Sequence, residues 1–269
     1  MRVVNFAPLC SLFVFHVTTL LPLRRGEPKT NATAYLNQSG KRISKKGNVE
    51  MVLVRAGEFT MGGAGLFEQP QHQVNVGAYL IGLTDVTVGQ YRVYCADQGI
   101  DFSKFPKPRW GWIDDHPMVN VNWQQARDFC EWAGGDLPTE AQWEKAARGK
   151  NGNLYPWGDK FDPTCLWCSK KVQGDVERTA PVGSYRSGAS HYGCLDMEGN
   201  VAQWCLDKFM PVPKNIDAER EGDPNKWRMI KGDSWFPLPD PYTFLSATRW
   251  GRIPTAANPM LGFRLACAP

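Results

Sequence analysis

The sequence predicts a mixed α+β domain that is rich in loops and has little regular secondary structure. Three observations lead there. Apolar residues recur only in short runs, at helical spacing in Trp123, Ala126, Phe129, Cys130 and Ala133 and as brief strand-like runs such as Met51 to Val54. The chain holds 11 Trp, 26 Gly and 20 Pro, so large aromatics must pin a backbone full of turns. Three helix starts carry a capping box, Thr87 with Gln90, Asn122 with Gln125 and Thr139 with Gln142, in which side chain and backbone satisfy each other's orphan groups.

A chain of 269 residues can bury a sizeable core, and we expect one domain over 49–269. Residues 1–25 read as a signal peptide or N-terminal anchor. An apolar run including Leu9, Leu12, Phe13, Val14, Leu20 and Leu21 follows one Arg, but it is too short and interrupted for a stable membrane span. A secreted or periplasmic setting follows from it. Residues 26–48 are polar and read as a disordered linker, with sequons at Asn31 and Asn37. The net charge of +4 is spread along the chain, which argues against nucleic acid as a partner.

In order, Met51–Val54 and Phe59–Met61 read as strands around Gly57, and Val74 to Ile81 as the next strand. A helix lined by Tyr91, Tyr94 and Cys95 follows Thr87. Residues 99–115 show no period; Trp110 and Trp112 either border a binding groove or cover the core. Met118–Val121 reads as strand, then two capped helices follow, broken by Gly134-Gly135 and ended at Gly149. Residues 160–186 are irregular, 215–225 form a charged loop, and the chain closes with a strand near Met229, a long loop and a last strand from Leu261 to Cys267.

Within 116–159 the text NVNWQQARDFCEWAGGDLPTEAQWEKAARG, followed by YPWGD, resembles the signature of the formylglycine-generating enzyme (sulfatase-modifying factor) family. MVLVRAGEFTMGG at 51–63, DVTVGQY at 85–91, HYGCLDMEGNVAQW at 191–204, KGDSW at 231–235 and LGFRLA at 261–266 extend the match over most of the chain. The resemblance implies a fold related to the C-type lectins. It also implies a copper ion held by two cysteines downstream of a GGSW-type element, because a soft cuprous ion takes thiolates. Counting from the flanking motifs places Ser246 and Pro241 at those positions, and no cysteine occurs between Cys205 and Cys267. Copper and the oxidase activity are therefore not expected here.

A serine nucleophile at Ser246 would need a base in reach, and His16, His72, His116 and His191 form no such order. Iron, used by related ergothioneine-synthesis enzymes, needs two His and a carboxylate facing one point; His191 beside Tyr192 reads as a packing histidine. The resemblance implies a disulfide from Cys130 to a cysteine just after GFR. Leu265 stands there, and Cys267 lies two residues on, on the same strand face. Cys165-Leu-Trp-Cys168 stays open as half a zinc site, a disulfide or buried thiols. The family's calcium site maps onto Asn200, Val201 and Gln203. Gln in place of Glu removes a charged oxygen, so any calcium binding is weak unless Asp196 or Glu198 compensates. Asp114-Asp115, Glu140 and Glu144 read as solvated or capping carboxylates.

Together these readings predict a family domain without its copper pair. Its groove, bordered by Trp110, Trp112, Trp235, Tyr242, Phe244, Arg249, Trp250 and Arg252, would bind a peptide, protein or small-molecule ligand. The enzyme alternative is an oxidase with another cofactor arrangement, acting on a protein or a secondary metabolite. A third alternative is a receptor diversified before LGFRLA.

Overall fold

The computed structural model describes residues 34–36, 42–65, 68–168, 177–209, 226–236 and 240–269, all within one compact unit, Ala32–Pro269. The leader-like segment, both sequons and the charged loop lie outside the described residues. Among the described residues no helix is long and apolar enough to cross a membrane.

Five strands run in the order β1 (Ala34–Leu36), β2 (Arg42–Ser44), β3 (Glu50–Val54), β6 (Tyr79–Gly82), β11 (Ala266–Cys267), all antiparallel. A hairpin joins β4 (Gly57–Met61) to β5 (His72–Val76). The third sheet is ordered β10 (Leu261–Gly262), β7 (Ala202–Lys208), β8 (Arg228–Lys231), β9 (Trp250–Arg252), with β10 parallel to β7. Among the described residues, three α-helices complete the fold: α1 (Val88–Gln98), α2 (Trp123–Ala133) and α3 (Glu140–Arg148). The mixed, loop-rich class holds.

All three capping boxes form, each with the N-cap oxygen accepting from the N3 amide and the N3 Gln accepting from the N-cap amide. Helix α2 ends at Gly134 with φ 96°, a left-handed turn that a Cβ would oppose. Next to it, Gly135 lies so close to the Ala266 carbonyl that any side chain would collide.

Strand alternation divides the interior. Leu80, Trp204 and Ile230 face a cluster built on Tyr91, Phe129 and Phe263, whose rings meet at 5.5 to 6.2 Å. Their chain neighbours Tyr79, Ile81, Cys205 and Met229 face a second cluster around Trp143. Both faces of these strands are therefore covered, which is why Tyr79–Gly82 is buried throughout. Trp123 of α2 and Trp143 of α3 serve different clusters, but both reach β7: Trp123 Nε1 donates to the Cys205 carbonyl at 2.8 Å, and Trp143 Nε1 to Gln203 Oε1 at 2.6 Å.

Several expectations are corrected. The polar segment 26–48 contains β1 and β2, because its backbone pairs onto β3 and Ile43 and Ser44 are buried there. The strand expected from Val74 to Ile81 is two, β5 and β6, in different sheets. Met118–Val121 is buried loop, and its apolar run reflects burial without sheet pairing. The last strand is likewise two, separated by Phe263, Arg264 and Leu265.

Candidate functional site

Where β8 and β9 end, three concavities adjoin. The first, about 300 Å³, lies between Ile230, Gly232, Asp233, Ser234, Trp250, Arg252 and Asn258. A second, about 530 Å³, shares Asp233 and Trp250 with it and continues past Glu68, Tyr242, Thr243 and Thr248. A third, about 440 Å³, shares Phe236 and Met260 with the first and runs past Lys107, Trp110 and Trp235. They form one trough.

Its walls follow from local chain geometry. Trp235 is anchored by its amide to the Asn200 carbonyl and by Nε1 to the Pro259 carbonyl, both at 3.0 Å. Trp110 meets it edge to face at 5.7 Å, and Phe236 does the same from the other side, 53% exposed. Register pairing of Ile230 with Trp250 on β8 and β9 sets the far wall. Tyr242 stands open at 82% exposure.

Asp233 sits where two of the cavities meet. Its Oδ1 accepts the Ser234 amide at 2.7 Å, and its own amide donates to Glu198 Oε2 at 3.2 Å. Burial raises its carboxyl to about 6, with that amide bond and Arg252 pulling the other way. Behind it Glu198 is fully buried, and burial lifts its carboxyl well above the usual range. Ser246 Oγ approaches that carboxyl without making a hydrogen bond of normal geometry.

Of the expected groove residues, Trp110, Trp235, Tyr242, Trp250 and Arg252 border the trough. Three do not. Trp112 turns inward onto Phe102 at 5.2 Å and packs on the first core cluster, so at this residue the 99–115 loop covers the core. Phe244 is fully buried with Tyr155, Leu166 and Cys168. Arg249 is 5% exposed and forks onto Glu140 at 2.5 and 3.1 Å, an internal ion pair. Glu140 and Glu144 are accordingly buried and ion-paired, and the solvated reading fails for both. Ser246 is buried with its amide bonded to the Leu154 carbonyl, and no histidine hydrogen-bonds it. Pro241 offers its carbonyl to the Tyr155 hydroxyl at 3.0 Å. His191 is exposed, edge-on to Tyr192 at 5.2 Å.

The metal expectations meet committed donors. Asn200 Oδ1 accepts the Ala180 amide at 2.9 Å, and Gln203 Oε1 accepts from Trp143 and from the Arg264 guanidinium at 2.6 Å each. An oxygen already facing a guanidinium does not suit calcium, so Gln203 Oε1 as placed is not a ligand for that ion. Among the described residues no thiol or imidazole lines the three cavities, so the donors there do not fit thiolate-bound copper. Among the described residues no three His, Cys, Asp or Glu side chains are grouped to hold a metal. Cys130 and Cys267 are thiols without a bond between them; Cys130 Sγ instead points at the Arg264 carbonyl, 3.9 Å away. Cys165 and Cys168 are buried thiols.

Residues 38–269 match the sulfatase-modifying factor enzyme 1-like domain. The chain belongs to that family.

Among curated members it is 36% identical over 163 residues to the inactive C-alpha-formylglycine-generating enzyme 2 of Bos taurus, covering 56% of this chain and 50% of that one. It is 36% identical over 169 residues to the formylglycine-generating enzyme of Streptomyces coelicolor, covering 56% and 52%. With the hercynine oxygenase of Mycolicibacterium smegmatis it shares 29% over 237 residues, covering 70% and 54%. The chain thus spans about half the length of these relatives. Among solved structures, PvdO from Pseudomonas aeruginosa superposes with a TM-score of 0.67 at 25% identity, covering 82% of this chain and 95% of that one. Treponema denticola variable protein 1 shares the fold at 0.64 and 24%, with coverage of 82% and 95%.

Sequence reasoning missed Asp233, Glu68, Phe236 and Met260. Only Asp233 carried a signal, an acid in KGDSW where the GGSW-type element has its second glycine.

Proposed function

We propose that this chain is a non-canonical member of the sulfatase-modifying factor family that binds a peptide or small ligand in its aromatic trough. One observation carries the reading: the central cavity shares Asp233 and Trp250 with one neighbour and Phe236 and Met260 with the other, and among the described residues the three offer aromatic side chains and a few charged groups but no thiol or imidazole. Aromatic faces supply contact area, and Asp233 and Arg252 supply orientation. Relatedness to the Bos taurus protein named inactive agrees with a member that binds without oxidising.

Calorimetric titration of the purified chain with mixed peptide pools tests this. Phe236→Ala and Trp250→Ala are expected to weaken binding by about tenfold each, the loss of a buried aromatic contact at an interface. Binding that is unchanged in both variants would sink the proposal. The second reading, an oxidase with a different cofactor arrangement, is favoured by the similarity to the Streptomyces coelicolor enzyme. Stoichiometric copper or iron in the purified chain, together with oxygen uptake, would establish it instead.

A further inference from the structure

The trough is electrostatically divided. Its Trp110 end carries Lys107 and Arg109, the latter paired with Glu177, while Arg252 lines the central cavity. The opposite cavity, about 530 Å³, is lined by Glu68, Asp233, Tyr242, Thr243, Thr248 and Trp250, and among the described residues it includes no basic side chain.

Neither carboxylate in that cavity is neutralised by contact. Glu68 is nine-tenths buried, and its Oε2 accepts the Gly65 amide at 2.8 Å. Among the described residues its Oε1 has no hydrogen-bond donor and Glu68 enters no salt bridge. Asp233 commits Oδ1 to the Ser234 amide, and among the described residues its Oδ2 has no donor. A buried carboxylate without a cation is costly, and two sharing one cavity cost more. The expense is offset if a positive group enters. Trp250 and Tyr242 line the same space, and aromatic rings also favour a cation, while threonine hydroxyls can accept hydrogen bonds from it.

We infer that the cavity between Glu68, Asp233, Tyr242 and Trp250 is a subsite for an organic cation, an ammonium or guanidinium group borne by the ligand of the trough. The assignment rests on the trough being a ligand site and adds which end of it takes which charge. The hydrogens on such a nitrogen match the two uncommitted carboxylate oxygens. Protonation of Asp233, which titrates near 6, removes one of those acceptors, so the affinity should fall as the pH drops below that value. Added salt should weaken it as well, since the cavity opens to solvent.

The test titrates the full chain, by calorimetry at pH 7.5, with N-acetyl-lysine amide, N-acetyl-arginine amide and agmatine, using N-acetyl-leucine amide as the neutral control. The peptide forms and the free amine distinguish a side chain from a small-molecule source. We expect the cations to bind at least tenfold more tightly than the neutral amide, and Glu68→Gln and Asp233→Asn each to remove about tenfold of that preference, the scale of a charge-assisted hydrogen bond. Circular dichroism confirms that the two near-isosteric variants fold. Equal affinity for charged and neutral amides overturns the subsite, as does a preference untouched by either variant. If peptides from the pools bind while no cation preference appears, only the subsite fails; if neither binds, the trough reading fails with it.

Discussion

Asp233 holds an acid where the chain turns out of β8, between Ser234 and Arg252 and above the buried Glu198. Its folded pKa of about 6 lies above the ordinary aspartate value, so the folded state holds the proton more tightly than the unfolded state does. The stability this contributes is complete below about pH 4 and is lost as the pH rises through 6. Asp233→Asn should therefore gain stability relative to the native chain across that window and level off above it, on the order of 2 kcal/mol after allowing for partial exposure. Urea midpoints measured from pH 4 to pH 8 check this, and a gap that does not widen with pH would contradict it. Glu198 contrasts with it: the acid is buried with Lys231 as a nearby cation, and nothing in the 191–204 motif distinguishes it from a surface glutamate.

Helix α3 shows how one element organises several others. Glu144 takes Arg148 at 2.6 Å, Lys231 of β8 at 2.9 Å and the Gly62 amide at 2.7 Å. Burial opposes its charge, yet the two cations and that amide hold its carboxyl below the ordinary value. Lys145 caps the Arg55 and Gly57 carbonyls at 2.9 and 2.7 Å, fixing the β4–β5 hairpin. Glu144→Ala strands two buried cations, and we expect a loss of about 3–5 kcal/mol in denaturant unfolding, well beyond that of an ordinary surface change. Removing one cap is milder: Thr139→Ala should cost about 1 kcal/mol by the same measurement. The caps were legible in the text because their spacing is local. The ion pairs were not, since Glu144 and Lys231 are 87 residues apart in the chain.

At the scale of the molecule, Arg264 ties the sheets together. It donates to Gln203 on β7 at 2.6 Å, to Gly82 at the end of β6 at 2.9 Å, and to the Leu195 and Asp196 carbonyls at 2.9 Å. A shorter cation cannot satisfy all four acceptors, so Arg264→Lys should lower the thermal midpoint markedly, while Arg252→Lys, exposed at the trough, should not. All seven cysteines after the leader are buried thiols, so a reductant should leave the thermal midpoint unchanged, and iodoacetamide should label them only after unfolding. A midpoint that drops in reductant would restore the Cys130–Cys267 bridge that the resemblance implied.

Sequence alone determined the helix starts, the loop-rich α+β class and the family, because capping boxes, turn residues and ordered motifs are local signals. Of the eight groove residues it named, five border the trough. Only the tertiary structure decided which side chains turn outward: Trp110 borders the trough and Trp112 enters the core two residues later, and Arg249 is internal while Arg252 is exposed. The pairing of Glu68 with Asp233 around one cavity was likewise beyond the text, since the contact joins a loop before β5 to the end of β8. Burial and charge pairing depend on partners far along the chain, and no local pattern encodes them.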